Sequence, residues 1–173
     1  TLNPDYLGFI FWEKSSRNMN LETIPEIPKS IKKVGVFVNA SIQDIISKVN
    51  QYQLNVVQLH GNESVTYCKN VKKLGVEVIK VFSIGDKFDF TTIKEYVLFV
   101  DYFLFDTKGK LPGGNGITFD WKIVENYTYE NCKRIGQYWE LTAQIRYDYD
   151  KSDFNNLNAY DNKAFNIDCN QIM

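Results

Sequence analysis

The chain has 173 residues, 44% of them hydrophobic and 15% aromatic, with a formal net charge of -1. That is the size of one domain with a core to bury, and a disordered chain would be poorer in both classes. Acids and bases are interspersed, which leaves no electrostatic footprint for nucleic acid or an anionic membrane, and no apolar run approaches the ~20 residues that span a bilayer.

Tyr6 to Phe11 (YLGFIF) opens the chain with an apolar run of strand length. Lys33 to Val38, Val56 to Leu59, Val78 to Phe82 and Tyr102 to Phe105 follow as further runs, several rich in β-branched residues. Such runs suit strands covered on both faces, as in a parallel sheet. Helical patterns lie between them. Ser41 to Val49 starts with a serine N-cap and Asp44 in its first turn, and Ile42, Ile45, Ile46 and Val49 share one face. Ser64 to Leu74 repeats the pattern with Val65, Cys68, Val71 and Leu74, and Gly75 stands at its end. Shorter helices are expected around Ile93 and from Trp121 to Val124. From Asn126 to Asn170 the texture turns to Asn, Tyr and Asp, with a weak strand at Tyr138 to Leu141, a polar helix around Asp148 to Phe154 and a last strand at Ala164 to Ile167.

Strand alternating with helix means a parallel sheet with helices outside it, and both a doubly wound sheet and a barrel satisfy that rhythm. No Gly-rich phosphate fingerprint follows the first strand, which counts against a Rossmann-type sheet. No repeat, linker or second domain interrupts residues 1–173. Cys68, Cys132 and Cys169 are scattered, which suits a reducing cytoplasm and not a disulfide framework. No basic region followed by an apolar stretch marks a secretory signal. His60 is the sole histidine, so a histidine-rich metal centre is excluded and no metal or cofactor is expected.

Four segments in order, LGFIFWEKSSRNM (Leu7 to Met19), VGVFVN (Val34 to Asn39), VVQLHGNES (Val56 to Ser64) and FLFDTKGKLPGGNGITFDW (Phe103 to Trp121), resemble signature segments of the phosphoribosylanthranilate isomerase family of tryptophan biosynthesis. The match runs from about Asp5 to Trp121 and continues in eroded form. LTAQI (Leu141 to Ile145) and IDCNQ (Ile167 to Gln171) stand where the family has its two phosphate loops. The resemblance implies a (β/α)8 barrel. Because the family's first strand, ending in a Cys-Gly motif with the general-base cysteine, and its closing helix have no counterpart here, the expected barrel is incomplete, with about seven of eight strands.

The resemblance also implies an activity, an Amadori rearrangement of N-(5-phosphoribosyl)anthranilate, which needs one proton donor and one acceptor and no cofactor. Asp106, after YFLF, is the implied general acid; the plain alternative is a turn cap. Arg17 would hold the anthranilate carboxylate through its guanidinium fork, or is simply solvated. Gly113, Gly114 and Gly116 suit a mobile cover over substrate or a plain flexible loop. Lys108 would meet a carboxylate or water. The phosphate would fall to Ala143, Gln144, Asp168, Asn170 and Gln171, where side chains occupy space that the family's glycines and small residues leave open. His60 reads as a hydrogen-bonded structural histidine, Cys68 as core, and Cys169 as the first residue to test for a replacement base.

Expected partners are therefore a small phosphorylated substrate and, through exposed strand edges, other copies of the chain; nucleic acid and membrane are not expected. A non-catalytic remnant that keeps only the scaffold is the alternative, since the implied base is missing from the sequence. A ribulose-phosphate epimerase, another sugar-phosphate barrel, needs metal-binding histidines that a single histidine does not supply.

Overall fold

The computed structural model describes residues 4–24, 26–85 and 87–109. They form β1 (Tyr6–Phe11), β2 (Lys32–Phe37), α1 (Ile42–Tyr52), β3 (Val56–Leu59), α2 (Val65–Lys72), β4 (Glu77–Ile84), a 3-10 helix (Phe90–Glu95) and β5 (Tyr102–Thr107). The elements expected from Trp121 onward lie outside the described residues. By packing, the described residues fall into two units, one drawn from 4–82 and 91–103, the other from 83–90 and 104–109.

The sheet order is β1-β2-β3-β4-β5, the order of the chain itself. Strands β1 to β4 pair in parallel, with Gly8 opposite Val34, Val36 opposite Gln58 and Leu59 opposite Lys80. A doubly wound sheet reverses its strand order at a switch point. Among the described residues there is no reversal, and an unbroken sequential order is that of a (β/α)8 barrel. The choice that the strand and helix rhythm leaves open is made by the pairing.

Alternation along the strands separates two apolar clusters. Val57, Leu59 and Val78 pack against Ile45, Cys68 and Val71 of the helices. Val34, Val36 and Val56, with Tyr6, Ile10 and Ile79, fill the opposite face. In β3 all four residues are buried, as the continuous run VVQL requires.

Both helix starts follow the sequence. The Ser41 hydroxyl accepts from the Asp44 N–H at 3.1 Å and donates to the Asp44 carboxylate at 2.7 Å, while the Ser64 hydroxyl accepts from the Tyr67 N–H at 3.2 Å. Gly75, just past α2, takes φ +78, a conformation that costs glycine little. One residue of the expected apolar face departs: Ile46 is exposed, and Tyr52 joins the buried stripe in its place.

The expected alternation also breaks twice. The described residues between β1 and β2 contain no helix. Pro25 and Pro28 fall in this segment, and proline in a helix interior removes a hydrogen bond and clashes with the preceding turn. The segment straps across the sheet instead. Ile24 packs on the core, the Tyr52 hydroxyl donates to Leu21 O at 2.7 Å, and Gln51 Nε2 donates to Glu22 O at 3.0 Å. Between β4 and β5 the connection carries the short 3-10 helix, which buries Ile93.

Candidate functional site

In a (β/α) barrel the chemistry sits where the strands end, so each strand end is built up in turn. After β1 the chain folds back on itself. Met19 N donates to Ile10 O at 2.7 Å and Asn18 N to Ser15 O at 3.0 Å, while Asn18 forms a parallel bridge with Ile10. This pins the turn containing Arg17, whose own N–H donates to the Ser15 hydroxyl at 3.2 Å. Arg17 is exposed just beyond the C-terminal end of β1.

The ends of β2 and β3 are joined to the middle of β4 by a network that sequence reasoning did not find. Asn39 takes φ 50, and its side-chain oxygen accepts from the Asn62 N–H at 2.8 Å. The Glu63 carboxylate accepts from the Asn39 N–H at 2.9 Å and from the Gly61 N–H at 3.0 Å to each oxygen. Lys80 Nζ donates to Glu63 Oε2 at 3.0 Å, to Gly61 O at 2.7 Å and to Val81 O at 3.0 Å. Glu63 is 4% exposed and Lys80 3%, so the pair is buried. One signal was available: a lysine inside the apolar run VIKVF is almost never fully buried without a partner.

His60 immediately follows β3, is buried, and donates its backbone N–H to Phe37 O at 2.8 Å. Cys68 is fully buried on α2, and burial pushes its thiol up to about 11. A thiol so shifted stays protonated near neutral pH and is a poor nucleophile. Cys68 is core, as its helical stripe suggests.

In the other unit, Asp106 lies within β5, which runs two residues beyond the expected YFLF. Strand alternation puts it on the side of Leu104, opposite Phe105. The Thr107 N–H donates to Asp106 Oδ1 at 2.9 Å, which orients the carboxylate at the strand's end. Lys108 is exposed, and its N–H donates to Ile84 O at 2.8 Å. Gly113, Gly114, Gly116, Cys132, Ala143, Gln144, Asp168, Cys169, Asn170 and Gln171 lie outside the described residues.

A cavity of about 650 Å³ opens beside the strap, lined by Phe11, Lys14, Leu21, Phe37, Lys48 and Tyr52 among others. Residues of α1 form one wall, so it belongs to the helix-bearing face. Among the described residues no cluster of three or more histidine, cysteine or carboxylate groups is arranged to hold a metal. None of their helices is long and apolar enough to cross a membrane.

Residues 1–136 match the family model described as N-(5'phosphoribosyl)anthranilate (PRA) isomerase. An N-(5'-phosphoribosyl)anthranilate isomerase of Parabacteroides distasonis is 44% identical over 131 residues, covering 73% of this chain and 59% of the relative. The phosphoribosyl anthranilate isomerase of Thermotoga maritima superposes with a TM-score of 0.61 at 34% identity, covering 72% of this chain and 62% of that one. A second solved isomerase, in complex with reduced 1-(o-carboxyphenylamino)-1-deoxyribulose 5-phosphate, gives a TM-score of 0.57 at 30% identity, with 72% and 59% covered. The matched part spans about three-fifths of the length of the first of these curated relatives.

Proposed function

Since the chain belongs to the phosphoribosylanthranilate isomerase family, we propose that it catalyses the Amadori rearrangement of N-(5-phosphoribosyl)anthranilate to 1-(2-carboxyphenylamino)-1-deoxyribulose 5-phosphate. The observation that carries the reading is the placement of Asp106 at the C-terminal end of β5, inside the segment FLFDTKG. A solved relative bound to the reduced product supports the substrate class.

In this reading Asp106 protonates the ribose ring oxygen, the ring opens to an iminium, and a base removes the C2 proton to leave the enol that becomes the ketose. An acid that works near neutral pH needs its carboxyl held protonated by burial or a neighbouring negative charge, which the closed substrate site would supply. Arg17 grips the anthranilate carboxylate from the turn after β1, where a guanidinium offers two parallel donors. Gly114 and Gly116 let the loop after β5 close over the sugar, and Ala143, Gln144, Asp168, Asn170 and Gln171 border the phosphate. The whole of residues 1–173 forms one barrel domain in this reading, and the protein works in the cytoplasm without a cofactor.

The test follows the loss of anthranilate-adduct fluorescence. Asp106→Asn is expected to lower kcat by about 10²-fold, the usual scale for removing a general acid. Near-normal turnover would remove Asp106 from that role. No turnover by the parent chain would favour the scaffold-only alternative.

A further inference from the structure

We propose that Glu63 and Lys80 are positioning residues for this reaction, a buried ion pair that ties the backbone at the ends of β2 and β3 to the middle of β4 and so sets the placement of His60. The inference rests on the isomerase reading.

Two ions out of water are costly, and an apolar pair of similar volume is often as stabilising or more so. What an apolar pair lacks is direction. One carboxylate takes the N–H groups of Asn39 and Gly61, and one ammonium reaches Gly61 O and Val81 O, so two strand ends and the middle of β4 are tied at a single point. The tie extends further, because the Tyr96 hydroxyl donates to Glu63 O at 3.1 Å. Gly61 has no spare volume there: a Cβ would stand 2.4 Å from Asn39 Oδ1 and 2.7 Å from Glu63 Oε1.

Alternation puts Lys80 on the side of Val78, the helix-bearing face, and His60 on the side of Val56, the opposite face. The pair therefore does not enter the site. It reaches His60 along the backbone, because the peptide joining His60 to Gly61 gives its N–H to Glu63 while the N–H of His60 is held by Phe37 O. His60 is thus fixed on both sides, by the β2 backbone at Phe37 O and, through Gly61, by the buried pair.

His60 is the only histidine, so its ring signals in a ¹⁵N–¹H NMR spectrum report this placement without overlap. The central variant is the double Glu63→Gln, Lys80→Met, which leaves net charge unchanged and buries no lone ion. Asn39→Gly is a milder companion, because glycine accepts the φ 50 backbone while losing the bond to Asn62. In the folded double variant, verified by circular dichroism, the His60 ring signals are expected to move, and kcat for N-(5-phosphoribosyl)anthranilate to fall by about 10²-fold with KM little changed, the scale of a ~1 Å misplacement caused by a change away from the chemistry. Asn39→Gly is expected to shift the same signals less. Unchanged His60 signals and kcat in the folded variants would overturn the proposal, as would a fall confined to thermal stability. If the parent chain itself turns over no substrate, the isomerase reading fails and the catalytic sense of the pair fails with it.

Discussion

Glycine at 61 and cysteine at 68 are both set by what surrounds them. Gly61→Ala would drive a methyl group into Asn39 and Glu63, neither of which can retreat without dropping a hydrogen bond. Overpacking of this kind costs about 1–3 kcal/mol, and urea unfolding of the variant is expected to show it; a midpoint equal to the parent would mean the loop yields freely. Cys68 makes a different prediction. Its thiol ionises near 9.0 in an unfolded chain and near about 11 in the fold, because burial disfavours the thiolate. Between those values the unfolded state releases its proton first, so stability falls as pH rises from 9 to 11. Tyr67, pushed up to about 12 by burial, extends the loss upward. Cys68→Ala is expected to be less stable at neutral pH yet to lose less between pH 9 and 11; parallel curves of unfolding midpoint against pH would count against this assignment.

At the scale of elements, the strap between β1 and β2 does the work of a crossover helix with few contacts. Its backbone is held to α1 by Tyr52 and Gln51, and Leu21 is itself exposed. Tyr52→Phe keeps the ring that stacks on Phe11 but removes the hydrogen bond to Leu21 O. A loss of about 1 kcal/mol is expected, together with faster amide exchange across residues 21–24 and little change in α1. Uniform acceleration throughout the sheet would show that the strap is not a separate local unit. The ion pairs differ by position in the same way. Lys32 and Glu77, at the start of β2 and β4, meet at 2.5 Å but are about a third or more exposed, whereas Lys80, in the middle of β4, and Glu63, after β3, are buried. Exposed pairs contribute little and are screened by salt; breaking a buried pair leaves an uncompensated charge.

At the scale of the molecule, β1 ends the sheet order; among the described residues it pairs with β2 and, at Ile10, bridges Asn18. An edge strand offers a row of backbone donors and acceptors to any neighbour. We expect residues 1–173 to associate through such edges, so that the mass measured by light scattering rises with concentration. A monomer mass that holds across the range would remove that partner. Proton transfer between a carboxyl and a base needs no metal, so isomerase turnover is expected to survive a chelator.

Local features were legible in the residues themselves. The runs YLGFIF and VVQL are strands with the bounds their composition suggests, and Ser41 and Ser64 cap the helices that follow them, because a hydroxyl beside free N–H groups needs only its neighbours to act. The wording of four segments carried the family, and Asp106 and Arg17 stand at the end of β5 and in the turn after β1, where their segments put them. The rest depended on chain segments far apart in sequence. Barrel order in place of a doubly wound order is a matter of which strands pair. Between β1 and β2 Pro25 and Pro28 disfavour a helix, and Ile24 packs on the core instead. The Glu63–Lys80 pair joins residues 17 apart and ties the loops after β2 and β3 to β4. No periodicity encodes such a contact; only the fold brings an ammonium, a carboxylate and their backbone partners close enough to offset the cost of burying them.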